Sequence, residues 1–242
     1  MHGYPDYGLA QPRATVYPVT DLSEAVARLE SIVTFDRRGD VVYLDSFEAG
    51  LAGCFGTLYG LGAVIDIQVG KARNGGCCAK LTTGSTLGRA ARLERLQPYP
   101  ALSNMGFEFS FTVPVDTQSV EISLGTRAVG TVYQGAVIYD PVGENLFYRD
   151  VAGVIQLIAS SVETYTSDYC FNTIKLVVDF MTNTYVRVIV NDQSFDLTGL
   201  AVWTYAFAGS PILDCFAYVD GVAATNAVYY IDDFIITQNE PA

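Results

Sequence analysis

The chain predicts an all-β protein, two antiparallel sheets packed face to face, preceded by a leading segment of different character. Three observations predict it. The first is the hairpin from Thr173 to Leu197, where Ile174, Leu176, Val178 and Phe180 alternate with Lys175 and Asp179, and Val186, Val188 and Val190 flank an outward Arg187. Strict period two over this length marks strands with one buried face. The second is the repetition of such runs, about a dozen in all, each bounded by turn residues. The third is composition: half of the 242 residues are apolar, with 16 Tyr and 13 Phe but one Trp, a balance that suits a pleated, half-buried surface.

Residues 1 to about 19 carry Pro5, Pro12 and Pro18. Proline at that density precludes a regular element. Tyr4, Tyr7, Leu9 and Tyr17 give this arm large side chains to lay on a surface, its own or a neighbour's. Asp21 and Glu24 fit an N-terminal capping pattern, and Leu22, Val26, Leu29 and Val33 then recur at helical spacing. A short amphipathic helix over 21–33 is therefore expected, and its apolar stripe must dock, because an isolated helix of that length is marginal in water. Residues 1–40 form the arm and helix, and residues 41–242 the β-sandwich. Arg38-Gly39-Asp40 reads as a charged turn between them.

Strands are expected at 41–47, 63–69, 77–82, 90–96, 107–111, 120–124, 132–139, 146–148, 154–159, the central hairpin, 212–218 and 227–236. Met181–Thr184 and Asn191–Ser194 supply turns. Trp203 falls in a loop segment of this reading.

Fourteen Lys and Arg face 26 Asp and Glu, a net charge of -12. That excess argues against nucleic acid or an anionic membrane as partner, since phosphate contacts need clustered cations. No apolar run reaches the ~18 residues of a membrane-spanning helix. The first residues have neither the basic nor the apolar region of a signal peptide; a virion or extracellular-surface location is expected. Cys54, Cys77, Cys78, Cys170 and Cys215 are odd in number, so at least one thiol is free or bonded between chains. Cys77 and Cys78 are adjacent on a strand and point to opposite faces. Zinc is not expected, given the lack of a C-x-x-C pair and a lone histidine, His2.

Three stretches taken in order carry a resemblance: Asp45-Ser-Phe-Glu48-Ala-Gly50, then Asn74-Gly-Gly-Cys-Cys-Ala-Lys-Leu-Thr82, then Tyr230-Ile-Asp232-Asp233-Phe-Ile. Over about 41–239 they resemble concanavalin-like and carbohydrate-binding-module jelly rolls. The resemblance implies a two-sheet jelly-roll sandwich. It also implies a structural calcium between first and last strands, with Glu48, Asp232 and Asp233 as ligands. Adjacent Asp residues on a strand point to opposite faces, so at most one of the two should aim into that site. The tryptophan such modules carry after their Phe-Glu-x-Gly turn is replaced by Cys54.

No catalytic constellation emerges. Glu108 and Glu121 lie on alternating strands and could face one groove, but they read as a solvated face. Ser or Cys nucleophiles lack a histidine base, and no Gly-rich phosphate loop opens a helix. The sequence therefore predicts a protein that is not an enzyme. The first expectation is a structural subunit of a larger particle, such as a virion decoration, tail or fibre protein or a surface filament. Homo-oligomer or virion neighbours would be held by Tyr4, Tyr7, Leu9, Tyr17, Leu22, Val26, Leu29 and Val33. The alternative is a carbohydrate-binding or adhesive module with tyrosine platforms and calcium.

Overall fold

The structure, a computed structural model, describes residues 39–85, 89–222 and 226–241. The expected arm and helix, with Tyr4, Tyr7, Leu9, Tyr17, Leu22, Val26, Leu29 and Val33, lie outside the described residues. Within them the chain forms sixteen strands. They are β1 (Asp40–Asp45), β2 (Phe55–Tyr59), β3 (Val64–Val69), β4 (Cys77–Thr82), β5 (Ala90–Pro98), β6 (Asn104–Val113), β7 (Thr117–Ala128) and β8 (Gly130–Asp140). They continue with β9 (Asn145–Arg149), β10 (Ile155–Ala159), β11 (Ser167–Asp179), β12 (Thr184–Val190), β13 (Gln193–Asp196), β14 (Trp203–Phe207), β15 (Ile212–Gly221) and β16 (Val228–Gln238). Among the described residues no helix is long and apolar enough to cross a membrane.

Two eight-stranded antiparallel sheets result. One runs β13-β12-β11-β6-β16-β4-β3, with β1 also on β16; the other runs β10-β9-β8-β7-β15-β5-β2, with β14 also on β8. One continuous core lies between them. Its first-sheet wall is the row Phe107, Phe109 and Phe111 of β6, all fully buried. Phe234 of β16 meets Phe107 with ring centroids 4.5 Å apart, and Phe47 packs edge-on to Phe234 at 6.5 Å. Val120, Ile122 and Leu124 of β7 answer from the second sheet. Alternation in the sequence placed these residues correctly, because a strand's period of two is fixed by backbone geometry.

Two departures from alternation matter. In the central hairpin, Val177 pairs with Arg187 but Val178 pairs with Tyr185, so a bulge falls at Val186. Tyr185 thereby replaces Val186 in the core, and its hydroxyl donates to the Arg149 carbonyl at 2.7 Å and accepts from the Ala136 amide at 2.9 Å. A buried phenol needs such partners. The second departure is on β16. Asp232 pairs with Ser110, Ile235 with Glu108, and one residue is extra in between. Asp233 takes up the surplus with a φ of 51°, the left-handed region that Asp tolerates better than most residues.

The strand at 203–207 is a correction: Trp203 is not in a loop but heads β14, paired to Gln134 of β8. β2 was also missed, because Phe55-Gly-Thr-Leu-Tyr59 is glycine-bearing and exposed on most of its positions, so no alternation shows. All five cysteines are free thiols; Cys78 and Cys215 are buried and Cys170 is exposed.

The outward side of the first sheet is itself largely buried and charged. Lys175 Nζ lies 2.7 Å from Glu240 Oε1, and Arg187 Nη2 lies 2.7 Å from Glu240 Oε2. Thr237 donates to the same carboxylate at 2.6 Å, and Glu240 is inaccessible to solvent. The last residues are thus fastened across β11 and β12. Removing one partner of a buried ion pair costs about 3–5 kcal/mol, since the remaining charge keeps its desolvation penalty. Glu240→Ala is accordingly expected to lower unfolding free energy by about 3 kcal/mol in urea titrations. A change below about 1 kcal/mol, the size of an exposed pair, would show that this knot is solvated in practice.

Candidate functional site

The three carboxylates of the expected calcium site all reach one loop, residues 70–76 between β3 and β4. Glu48 is exposed, and its Oε1 accepts from the amides of Gly76 and Cys77 at 2.6 and 2.8 Å. Those two bonds hold its carboxyl below the usual carboxylate range. Gly75 sits at φ 68° in contact range of the Glu48 carboxylate, where any Cβ would collide. Asp232 Oδ2 accepts from the amides of Arg73 and Asn74 at 2.8 and 3.2 Å. Asp233 pairs with the Arg73 guanidinium at 3.2 Å and accepts from Ser110 Oγ and the Asn74 amide side chain. The expectation that adjacent Asp residues diverge is corrected here. The bulge turns both toward the loop.

Burial, with the Asp233 charge beside it, pushes the Asp232 carboxyl up to about 7. Among the described residues, no three Asp, Glu, His or Cys side chains form a metal-sized cluster. The oxygens of Asp232 and Asp233 are committed to N–H and O–H donors, and a guanidinium already stands against Asp233. That donor set does not fit a calcium ion, which takes 6–8 oxygen ligands. Added calcium is therefore expected to leave the melting temperature of the wild-type chain unchanged, while Arg73→Ala lowers it. A rise of several degrees on adding calcium would show that the ion displaces Arg73.

The denser constellation lies on the outward face of the second sheet. Cross-strand register assembles it in ladders. Arg92, Tyr218, Glu121, Ile138 and Phe147 form one rung. Phe55, Glu94, Phe216, Ser123 and Ala136 form the next, then Leu96, Asp214, Gly125, Gln134 and Trp203. Residues directly opposite across paired strands are in contact distance, so the rungs fix which side chains meet. Arg92 lies 2.9 Å from Glu94 and 3.5 Å from Asp214, and Arg127 bridges the same two carboxylates. Arg149 pairs with Glu121 at 3.2 Å. Glu108, the other carboxylate singled out in the sequence, is on the opposite sheet, so the two do not share a groove.

Aromatic rings border this floor. Trp203 and Tyr205 lie with centroids 4.5 Å apart on β14, both half-buried. Arg92 stacks over Phe216 at 3.7 Å and Arg127 over Phe207 at 4.9 Å. Tyr205 donates to Gln134 at 2.9 Å, and Gln134 donates to Ser123 at 2.7 Å. Gly153, at φ 80°, lets the turn after β9 pass the Trp203 indole, which a Cβ there would strike. Sequence reading missed this face because its members are spread from position 55 to 218 and only pairing register unites them. The one local signal was Arg92-Leu-Glu94, two opposite charges on the same side of β5.

No protein-family model matches the chain, and no curated protein matches its sequence. Solved structures do match its shape. The conserved carbohydrate esterase of the Shiga toxin-encoding bacteriophage phi24B superposes with a TM-score of 0.56 at 14% identity, over 81% of this chain and 96% of that one. Cellulose induced protein Cip1 gives 0.57 at 11% identity, over 81% and 96%. The potassium-bound carbohydrate recognition domain of Emp46p gives 0.50 at 11%, over 80% and 92%. At such identities the likeness is one of fold: the chain is a jelly-roll-type β-sandwich.

Proposed function

We propose that the chain is a non-catalytic carbohydrate-binding module that lays a glycan along the outward face of the β7–β8–β15 sheet. The observation that carries this is one face holding half-exposed aromatic rings, Trp203, Tyr205 and Phe207, beside a rigid floor of Arg, Glu, Asp and Gln side chains. Sugars offer apolar C–H faces to rings and hydroxyls to charged hydrogen-bonding groups, and both are present in one surface. The structural neighbours named as acting on or recognising carbohydrate share this fold, which supports the reading by analogy. The non-catalytic part rests on Glu94 and Asp214. They are hydrogen-bonded to each other, whereas a hydrolytic carboxylate pair stands about 5–9 Å apart around the bond to be cut.

Trp203→Ala is expected to weaken binding to a matching polysaccharide about tenfold in affinity electrophoresis or calorimetry, the size of one lost aromatic contact. Unchanged affinity in a folded variant would remove this face from recognition.

Glu94 adds a pH signature. Burial and the bond to Asp214 push its carboxyl from 4.5 up to about 7, against the opposing pull of Arg92 and Arg127. The folded chain therefore holds a proton that the unfolded chain releases above pH about 4.5. Stability from this group falls as pH rises from about 4.5 to 7 and is level beyond. Glu94→Gln is expected to flatten that fall in urea midpoints measured across the range; an equally steep fall would assign it elsewhere.

The second reading, a structural subunit of a virion or filament, is supported by apolar side chains left exposed around β2 and β3. Phe55 is 60% exposed, Leu61 73% and Val69 70%, and large apolar side chains left open in this way are what a partner surface would cover. Under that reading light scattering finds the full chain oligomeric and a chain lacking residues 1–36 monomeric. A monomer in both cases ends it.

A further inference from the structure

Away from the sheet face, the turns at one end of the sandwich enclose an open cleft of about 1240 Å³. Its walls come from the segment 161–171, the β8–β9 turn and the β12–β13 turn, with Ala72 and Arg73 of the β3–β4 loop closing it. Two rings stand in the open: Tyr165 is 64% exposed and Tyr169 is 76% exposed. Lys71 Nζ backs one face of Tyr169 at 4.3 Å from the centroid, which leaves the other face for a ligand.

The cleft is built rather than accidental. Asn172, fully buried, grips Tyr165 from both sides: it accepts from the Tyr165 amide at 2.8 Å and donates to the Tyr165 carbonyl at 3.0 Å. Asn191 donates to Asn172 at 3.0 Å and accepts from the Thr173 amide at 2.9 Å. Gln193 donates to the Glu163 carbonyl at 3.0 Å. Three lining residues, Glu144, Ser161 and Asn191, hold positive φ of 52°, 60° and 53°. Such conformations cost about 1–3 kcal/mol each in non-glycine residues and persist where surrounding bonds enforce them. A platform whose backbone is fixed in this way has less loop freedom to lose on binding.

The charge of the cleft selects among ligands. Glu144, Glu163 and Asp192 line it with exposed carboxylates, three against two cations that are already engaged: Arg73 is paired with Asp233, and Lys71 is held between the Tyr169 and Tyr230 rings. From this we infer that the cleft is a second, loop-borne sugar site that takes an oligosaccharide that is neutral or bears amino groups, and rejects one bearing carboxylates. The rings take the apolar sugar faces; the carboxylates and the amides of Asn191 and Gln193 take hydroxyls or ammonium groups. This site is independent of the sheet face and stands or falls without it.

The test is protein-observed NMR on the whole chain with three probes: a glucosamine hexamer, cellohexaose and a galacturonate hexamer. The glucosamine hexamer or cellohexaose is expected to shift the amides of 163–171 and 191–193, and Tyr169→Ala to weaken that binding about tenfold. Tyr169 is largely in solvent, so its loss leaves the core intact. The inference is overturned if neither of these two probes shifts those amides, if the galacturonate hexamer shifts them as strongly, or if Tyr169→Ala binds unchanged. Failure of the sheet-face reading registers at different signals, those of 203–207, and through Trp203→Ala.

Discussion

The bulge at Asp233 is the constraint on which most of the sandwich depends. β16 runs through the middle of its sheet, between β6 on one side and two shorter strands on the other, β4 first and β1 after it. Without the extra residue, Phe234 would inherit the parity of Asp232 and leave the core. A one-residue slip moves every later side chain to the opposite face. With it, Phe234 and Ile236 point inward to the Phe107 row, and Ile235 turns outward to meet Val41. The left-handed Asp233 also brings two carboxylates to one side, where they fasten the loop carrying Arg73 and Asn74. Core register and loop position are therefore set by one backbone event.

That event was invisible to pattern reading. Alternation over Ile174–Phe180 or Phe107–Phe111 needs only local geometry, so those strands and their inward faces were legible. Asp232-Asp233 reads as two ordinary strand residues, and nothing in the pair announces a positive φ. The same holds at Val186, where a bulge hands its core place to Tyr185; a tyrosine beside three valines looks like the exposed partner until a polar group in the opposite sheet is known to receive its hydroxyl. The resemblance did bring Glu48, Asp232 and Asp233 together, and they do share a loop. What it could not supply was Arg73, whose guanidinium gives that cluster its counter-charge.

Charge placement follows a single logic across both sheets. The outward faces pair Arg and Lys with Glu and Asp at low exposure. Buried pairs of this kind contribute little net stability compared with apolar packing, yet they hold side chains in fixed directions. On the first sheet the result is closure: Lys175 and Arg187 pull Glu240, and with it the segment that follows β16, onto β11 and β12. On the second sheet the arginines are instead stacked on rings and braced by acids, with Trp203 and Tyr205 half open beside them. The same pairing chemistry thus seals one face and presents the other.

The excess of acid over base gains meaning from this division. Where carboxylates are matched by arginine, as at Glu94, Asp214 and Glu121, the opposite charges are equal in number, which under the proposed function suits an uncharged ligand. Where they are not matched, as at Glu144, Glu163 and Asp192, the surplus sits on the walls of a cleft around exposed tyrosines. A rigid ladder on strands suits an extended chain, because neighbouring rungs lie two residues apart along each strand, about 6.8 Å. A cleft at the strand ends suits a shorter segment or a chain end, because its groups converge from four segments onto one volume. Surface composition at the two places differs in the way those two geometries require, which is why charge and shape are best read together on this fold.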